Sequence, residues 1–278
     1  MNRLMSADLF RLKRDKVFLI CWAALAILSA AVLMNGVRQC RVMRAEGYQM
    51  ELAGHFFRLV PALSVCVAVF TGLFLGTDHS EGALRNRLMV GHSRGRVYLA
   101  ALGSALMGAM AFAGAWLAGG GAVALFGREH WHMGAGQTAL FILIAIASAL
   151  ALASILTVAG ILSEKKSTAA VVSILLTLGL FLLSTWIYSR LQEPEMETGL
   201  VITTAGMEWG DPTPNPRYVS GTLRQVFELL MDLLPSGQMV LLSELAVSRP
   251  IGNLLASVAV TAAATLTGMA LFYKKDLK

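Results

Sequence analysis

Charge is what this chain has least of. Asp, Glu, Lys and Arg make up 14% of its 278 residues, where a soluble domain carries roughly 25%. So little polar surface excludes a water-soluble globule of this size. Cysteine is scarce as well. Cys21, Cys40 and Cys66 fit neither a disulfide framework nor a zinc spacing. Two of them lie inside apolar runs and read as small packing residues. No G-x-x-x-x-G-K-[ST] loop is present, which excludes P-loop binding of ATP by this chain. H-E-x-x-H and C-x-x-C are also missing. His130 and His132 stand two apart without a further ligand cluster and read as interfacial histidines. The chain is therefore not expected to be an enzyme.

What is present is apolar. Hydrophobic residues reach 56%, and the mean hydropathy is +0.65. A bilayer core needs about 20 apolar residues in a helix. Six runs qualify, at about 17–34, 59–76, 97–126, 138–162, 168–188 and 251–273, and none contains an acidic or basic residue. The expected fold is all-α, a polytopic membrane protein with six transmembrane helices in a single transmembrane domain, 1–278. The basic residues before the first run raise the alternative of a signal peptide. The run is longer than the apolar region of such a peptide, and the later spans need no cleaved leader. The third run is overlong, and its end, Gly119-Gly120-Gly121, is a place where the helix is expected to loosen.

Orientation follows from Lys and Arg in the connections. With the N-terminus inside, inner segments hold 14 of the 23 basic residues in about half the length of the outer ones. The last outer loop alone holds eight acidic residues. Both termini are then expected in the cytoplasm. Arg38, Arg41, Arg44 and Arg58 in the first outer loop run against this trend. Tyr98, Trp131, Trp186, Tyr188 and Tyr273 fall near span ends, as interfacial aromatics do. Ser104/Gly108 and Ala109/Ala113 are small-xxx-small pairs. They suit either a dimer face or packing within one bundle, and the second reading is preferred.

Three segments between the spans carry information. Residues 2–16 place Met5, Leu9 and Leu12 on one helical face beside five cations, which suits an amphipathic elbow helix on the membrane surface. Residues 78–96 form the first inner loop. Ser80 and Glu81 signal a helix start, Leu84 and Leu88 share a face, and Gly91 signals a left-handed stop. A short helix over 81–90 is expected, with an exposed Leu84/Leu88 stripe between Arg85 and Arg87 as a docking surface, or as a face resting on lipid. Residues 190–250 are acidic and turn-rich, then give Leu223, Val226, Phe227, Leu230, Leu233 and Leu234 at helical spacing. Pro235-Ser236-Gly237 interrupts the pattern before Met239. A short outer helical hairpin therefore precedes the last span. Glu228 and Asp232, one turn apart, suit a cation or, as the preferred reading, a solvated polar face.

Taken in order, these features resemble the membrane subunits of ATP-binding-cassette exporters of the type-2 permease family. The resemblance spans nearly the whole chain. It rests on the six spans, the basic elbow, and the loop from Glu81-Gly82-Ala83-Leu84-Arg85-Asn86-Arg87-Leu88 through Gly91-His92-Ser93-Arg94. It also rests on Asn215 to Thr222, on Asp232 to Gln238 and on the ending Phe272-Tyr273-Lys274-Lys275. Family members often carry Thr where this chain has Ala83. The resemblance implies that Glu81, Gly82, Leu84, Arg85, Asn86, Arg87, Leu88, Gly91 and Arg94 form a coupling helix that meets an ATPase subunit. It implies ATP and Mg on that partner rather than on this chain, a second permease chain as homo- or heterodimer, and the bacterial cytoplasmic membrane as location. Nucleic acid is not an expected partner. An amphipathic or apolar cargo (a peptide antibiotic, a drug or a lipid) suits a pathway of Ala, Leu, Met and hydroxyls. No ionisable group lies at membrane depth to couple an ion gradient. A non-transporting scaffold or immunity protein and an ion-independent facilitator are the competing readings.

Overall fold

The computed structural model describes residues 2–203, 206–209 and 211–275. Helix α1 (Asn2–Arg14) leads into α2 (Lys16–Ala45). The break is made by Asp15, whose carboxylate accepts from the Phe18 backbone N–H at 2.9 Å and so caps α2. Then follow α3 (Leu52–Phe57), α4 (Val60–Ser80), α5 (Ala83–Met89), α6 (Arg94–Ala124), α7 (Ala135–Leu162) and α8 (Lys166–Gln192). Two short antiparallel pairs, β1 (Met196–Glu197) with β4 (Thr213–Pro214) and β2 (Leu200–Thr203) with β3 (Gly206–Trp209), form the acidic segment that the sequence pattern left as loop. Helices α9 (Gly221–Leu233) and α10 (Pro235–Ser243) precede α11 (Pro250–Lys274).

Among the described residues, six helical stretches are long and apolar enough to span a membrane; five contain one of the runs expected from sequence, and the third, ending at Ala124, covers all but the last two residues of the run 97–126. Several run further than their apolar cores. At about 1.5 Å per residue, the 30 residues of α2 reach about 45 Å, well beyond the hydrocarbon layer. Leaving lipid does not end a helix; the turn at Gly47, with its positive φ of 89°, follows where α2 stops. The second span begins earlier than expected, with α3, whose cap is Glu51.

Helices α4, α6 and α7 form the middle of the bundle, and α2, α8 and α11 lie outside them. In the most apolar stretch of each, 67%, 61% and 56% of residues are buried for the inner three, against 22%, 28% and 11% for the outer three. The outward residues of the outer helices are Ile20, Ile27, Leu175, Leu182, Leu255, Val258 and Leu266, as a bilayer solvent requires. The interior is aromatic. Phe18, Phe70 and Phe112 meet at ring distances of 5.3–5.7 Å, and Phe56 lies 4.5 Å from Trp116. Buried hydroxyls such as Ser104, Ser154 and Thr157 donate to the carbonyl four residues back, so they stay satisfied without water.

Of three expectations about α6, two change and one, the packing of its small residues, holds. The Gly119-Gly120-Gly121 stretch does not loosen the helix, which runs on to Ala124. A Cβ on Gly119 would stand 2.1 Å from the Ala26 carbonyl oxygen of α2, so the missing side chain permits close approach of two backbones. Ser104, Gly108, Ala109 and Ala113 are buried inside the bundle, which is the intramolecular packing reading. Tyr98 is fully buried rather than interfacial, and its hydroxyl donates to Ala264 O of α11 at 3.4 Å.

Helices α9 and α10 are bent by 92° to each other. Leu234 is the extended residue between them, and Pro235 takes the first turn of α10, where a missing N–H costs nothing. Residues 235–242 are all buried against α4, α7 and α8. Gln238 holds this insertion in place. Its Nε2 donates to Asp232 O (2.7 Å) and Asn253 O (3.0 Å), and its Oε1 accepts from Ser257 Oγ (2.7 Å).

Candidate functional site: a clamped helix at the face of the termini

An even number of spans brings α1 and the end of α11 to one face of the bundle. The short helix α5 crosses that face between α4 and α6. It begins two residues later than the capping signals indicate. Ser80 still belongs to α4, its hydroxyl donating to Thr77 O at 3.1 Å. Gly82, at φ 66°, is the left-handed residue that starts the new helix. The expected stop at Gly91 is found, at φ 94°.

The Leu84/Leu88 stripe faces the opposite way from the expectation. Leu84 is 3% exposed, and Leu88 packs half-buried on the same core. Both leucines anchor α5 to the bundle. Outward lie Glu81, Arg85, Asn86 and Gly91. Met89 and Val90 join them, 67% and 79% exposed. These two apolar residues were missed because the leucines took their place in the pattern.

Two buried carboxylates fix α5 from below. Arg87 Nη2 donates to Asp8 Oδ1 of α1 at 2.5 Å, and Nη1 to Oδ2 at 3.1 Å. Arg11, one turn along α1, donates to Asp78 at the end of α4 and to Phe74 O (3.1 Å), and its guanidinium lies 3.7 Å over the Phe74 ring. The Asp8 and Asp78 side chains are each 2% exposed. A buried carboxylate costs several kcal/mol unless paired, so each arginine answers a charge that would otherwise oppose folding. Two bidentate or stacked guanidiniums thus interlock α1, α4 and α5.

A second anchor follows directly. Arg94 at the start of α6 donates through Nη1 to Phe272 O (3.2 Å), Tyr273 O (2.8 Å) and Lys275 O (2.7 Å), closing the end of α11. Lys275 Nζ in turn donates to Ile161 O (2.9 Å), Leu162 O (3.0 Å) and Ser163 O (3.3 Å), closing the end of α7. Cations at helix C-termini satisfy orphan carbonyls and the negative dipole end. Burial lowers the Lys275 ammonium from its ordinary value, and Glu164 partly offsets this.

The nine residues singled out in sequence therefore divide. Glu81, Arg85, Asn86 and Gly91 face out, Gly82 makes the turn, and Leu84, Arg87, Leu88 and Arg94 fasten the loop to α1, the core and α11. Asp8 and Asp78 were not singled out, although an acid within a basic elbow and another at a span end were visible. Elsewhere, Glu228, 42% exposed, bonds Arg224 (3.2 Å), in keeping with a polar face, while Asp232, 18% exposed, lies 3.9 Å from Arg249. His132 N donates to Glu51, and buried His130 lies 3.3 Å from Glu129. Among the described residues, no group of three or more His, Cys, Asp or Glu is placed to hold a metal ion. Compared with known proteins, the chain matches no family model and no curated sequence.

Proposed function

We propose that this multi-pass membrane protein is the permease subunit of an ATP-driven exporter, with α5 as the element that receives force from a separate ATPase subunit. One observation carries the reading: α5 is fastened by Leu84, Arg87 and, through α6, Arg94, while Met89 and Val90 project outward. A helix held this way cannot move alone. Displacement of α5 pulls α1 through Asp8, α4 through the adjoining Asp78–Arg11 pair, and α11 through Arg94.

In this reading the termini are cytoplasmic, as the Lys and Arg distribution favours. Met89 and Val90, rimmed by Glu81, Arg85 and Asn86, seat in a groove of the ATPase, which holds ATP and Mg. A second permease chain completes the pathway. The cargo is amphipathic or apolar.

Tagged protein extracted gently from its native membrane should bring down an ATP-binding-cassette subunit in stoichiometric amount. Met89→Glu with Val90→Glu should abolish that association and leave thermal stability within about 0.5 kcal/mol, as exposed positions do. Leu84→Ala should instead destabilise the bundle by about 2–5 kcal/mol. Intact, monodisperse protein with no such partner in several detergents would sink the exporter reading and favour a scaffold.

A further inference from the structure

The opposite face of the bundle holds a cleft of about 270 Å³ between α8, α9 and the turn into α11. Its walls include Tyr188, Gln192, Arg224, Glu228, Asp232 and Arg249. At about 30 Å³ per water, it has room for roughly nine waters or one small polar group. Two cations and two anions line it, so their charges cancel.

Helix α9 presents these charges in an unusual direction. Arg224, Glu228 and Asp232 lie on the side turned to the cleft, and Leu223, Val226, Leu229 and Leu233 are 53%, 44%, 61% and 41% exposed on the other. A helix at a water surface does the reverse. Open leucines on one side, with Arg224 and Glu228 (37% and 42% exposed) and the more covered Asp232 gathered on the cleft side, are the arrangement of a helix lying between acyl chains and a polar cleft. The neighbourhood fits that depth. Trp186 is 49% exposed with the Arg190 guanidinium 5.6 Å over its ring, an interfacial anchor. Ile251 and Leu255, just past Arg249, are 69% and 66% exposed.

The two ion pairs are unequal. Arg224 and Glu228 are hydrogen-bonded at 3.2 Å. Arg249 and Asp232 Oδ2 stand 3.9 Å apart, an ion pair too long for a hydrogen bond; the Asn253 amide lies against the other oxygen, Oδ1, so Arg249 and Oδ2 keep bonding capacity. A cation and an anion held just out of reach, in a net-neutral cleft beside lipid, match a molecule with both charges and an apolar tail.

We infer that this cleft binds the ethanolamine headgroup of a phospholipid, its phosphate on Arg249 and its ammonium on Asp232, with the acyl chains against the leucines of α9. An ammonium with N–H donors suits a carboxylate. A trimethylammonium lacks donors and is held by aromatic faces, and the cleft offers one ring, Tyr188. A glycerol headgroup carries the same phosphate charge but no ammonium, so it would give Asp232 no cation to bond. The inference does not depend on an ATPase partner, because binding is measured on this chain alone.

The test is native mass spectrometry of the purified chain in non-ionic detergent, offered dioleoyl phosphatidylethanolamine, phosphatidylglycerol and phosphatidylcholine in equal amounts. The ethanolamine adduct should exceed the other two about tenfold. Arg249→Gln and Asp232→Asn should each reduce it about tenfold, the effect of losing one charge-assisted hydrogen bond. Arg249 is 69% exposed, so that variant keeps its fold, and an unchanged melting temperature verifies it. Equal adducts for the three lipids, no ethanolamine adduct, or one untouched by Arg249→Gln would overturn the assignment. Displacement of the lipid by an equal concentration of free phosphoethanolamine would overturn the lipid as the ligand and leave a soluble zwitterion in its place.

Discussion

Arg87 on α5 closes both of its terminal nitrogens on the Asp8 carboxylate of α1, 79 positions away in the chain, with 14% and 2% of the two side chains exposed. This pair makes the amino-terminal helix part of the loop between the second and third spans. The elbow is therefore more than a basic flank resting on lipid. Leu12 is buried beneath it, while Leu9 and Phe10 remain exposed to the membrane.

Cutting the pair on one side should be costly. Asp8→Ala leaves the Arg87 guanidinium buried without its carboxylate, a loss of about 3–5 kcal/mol. Asp8→Leu combined with Arg87→Met removes both charges and should recover most of the stability, since a well-packed apolar pair often equals a buried ion pair. Thermal unfolding of the detergent-solubilised variants distinguishes the cases. A double variant no better than the single one would mean that α1 docks through Leu12 and Arg11 alone.

How much of this was legible in the sequence depends on the solvent each segment meets. The six spans were plain because no soluble element needs so many apolar residues without a charge. The short helix before Gly91 and the break at Pro235 were plain because turn chemistry is local. Direction was not. In water, an apolar stripe points inward, and that rule locates a face. Beside lipid the rule loses its sign. Leu84 on α5 turned in, the leucines of α9 turned out, and both read as the same helical spacing. Pairs such as Arg87 with Asp8 join helices far apart in sequence, and one chain alone does not reveal which acid meets which base. The glycines of α6 were misread for a related reason: a flexible residue and a close-contact residue share one letter.

Those glycines can be told apart experimentally. A Cβ at Gly119 meets the Ala26 carbonyl at 2.1 Å, whereas one at Gly121 meets nothing within 4 Å. Gly119→Ala must push α2 away from α6 and should cost about 1–3 kcal/mol. Gly121→Ala only adds helix propensity and should be neutral or stabilising by up to about 1 kcal/mol. Melting temperatures of the two variants should move in opposite directions or differ clearly. A loss at Gly121 equal to that at Gly119 would show that the whole stretch needs flexibility rather than contact.

The buried turn between α9 and α10 depends on Gln238 in a way that a paired substitution exposes. Its amide spans Asp232 O, Asn253 O and Ser257 Oγ, and Gln238, Asn253 and Ser257 are buried. Gln238→Leu keeps the volume but strands two carbonyls and one hydroxyl, each worth about 1–3 kcal/mol when buried and unpaired. Adding Ser257→Ala removes the hydroxyl from that account and should restore part of the loss, because an absent polar group costs less than an unpaired one. The effect should concentrate where α10 joins α11. Limited proteolysis within 244–249 should be weak in the parent protein, appear in Gln238→Leu and weaken again in the double variant. If the single variant melts lower yet stays resistant there, the amide stabilises the bundle at large and does not hold the hairpin in place.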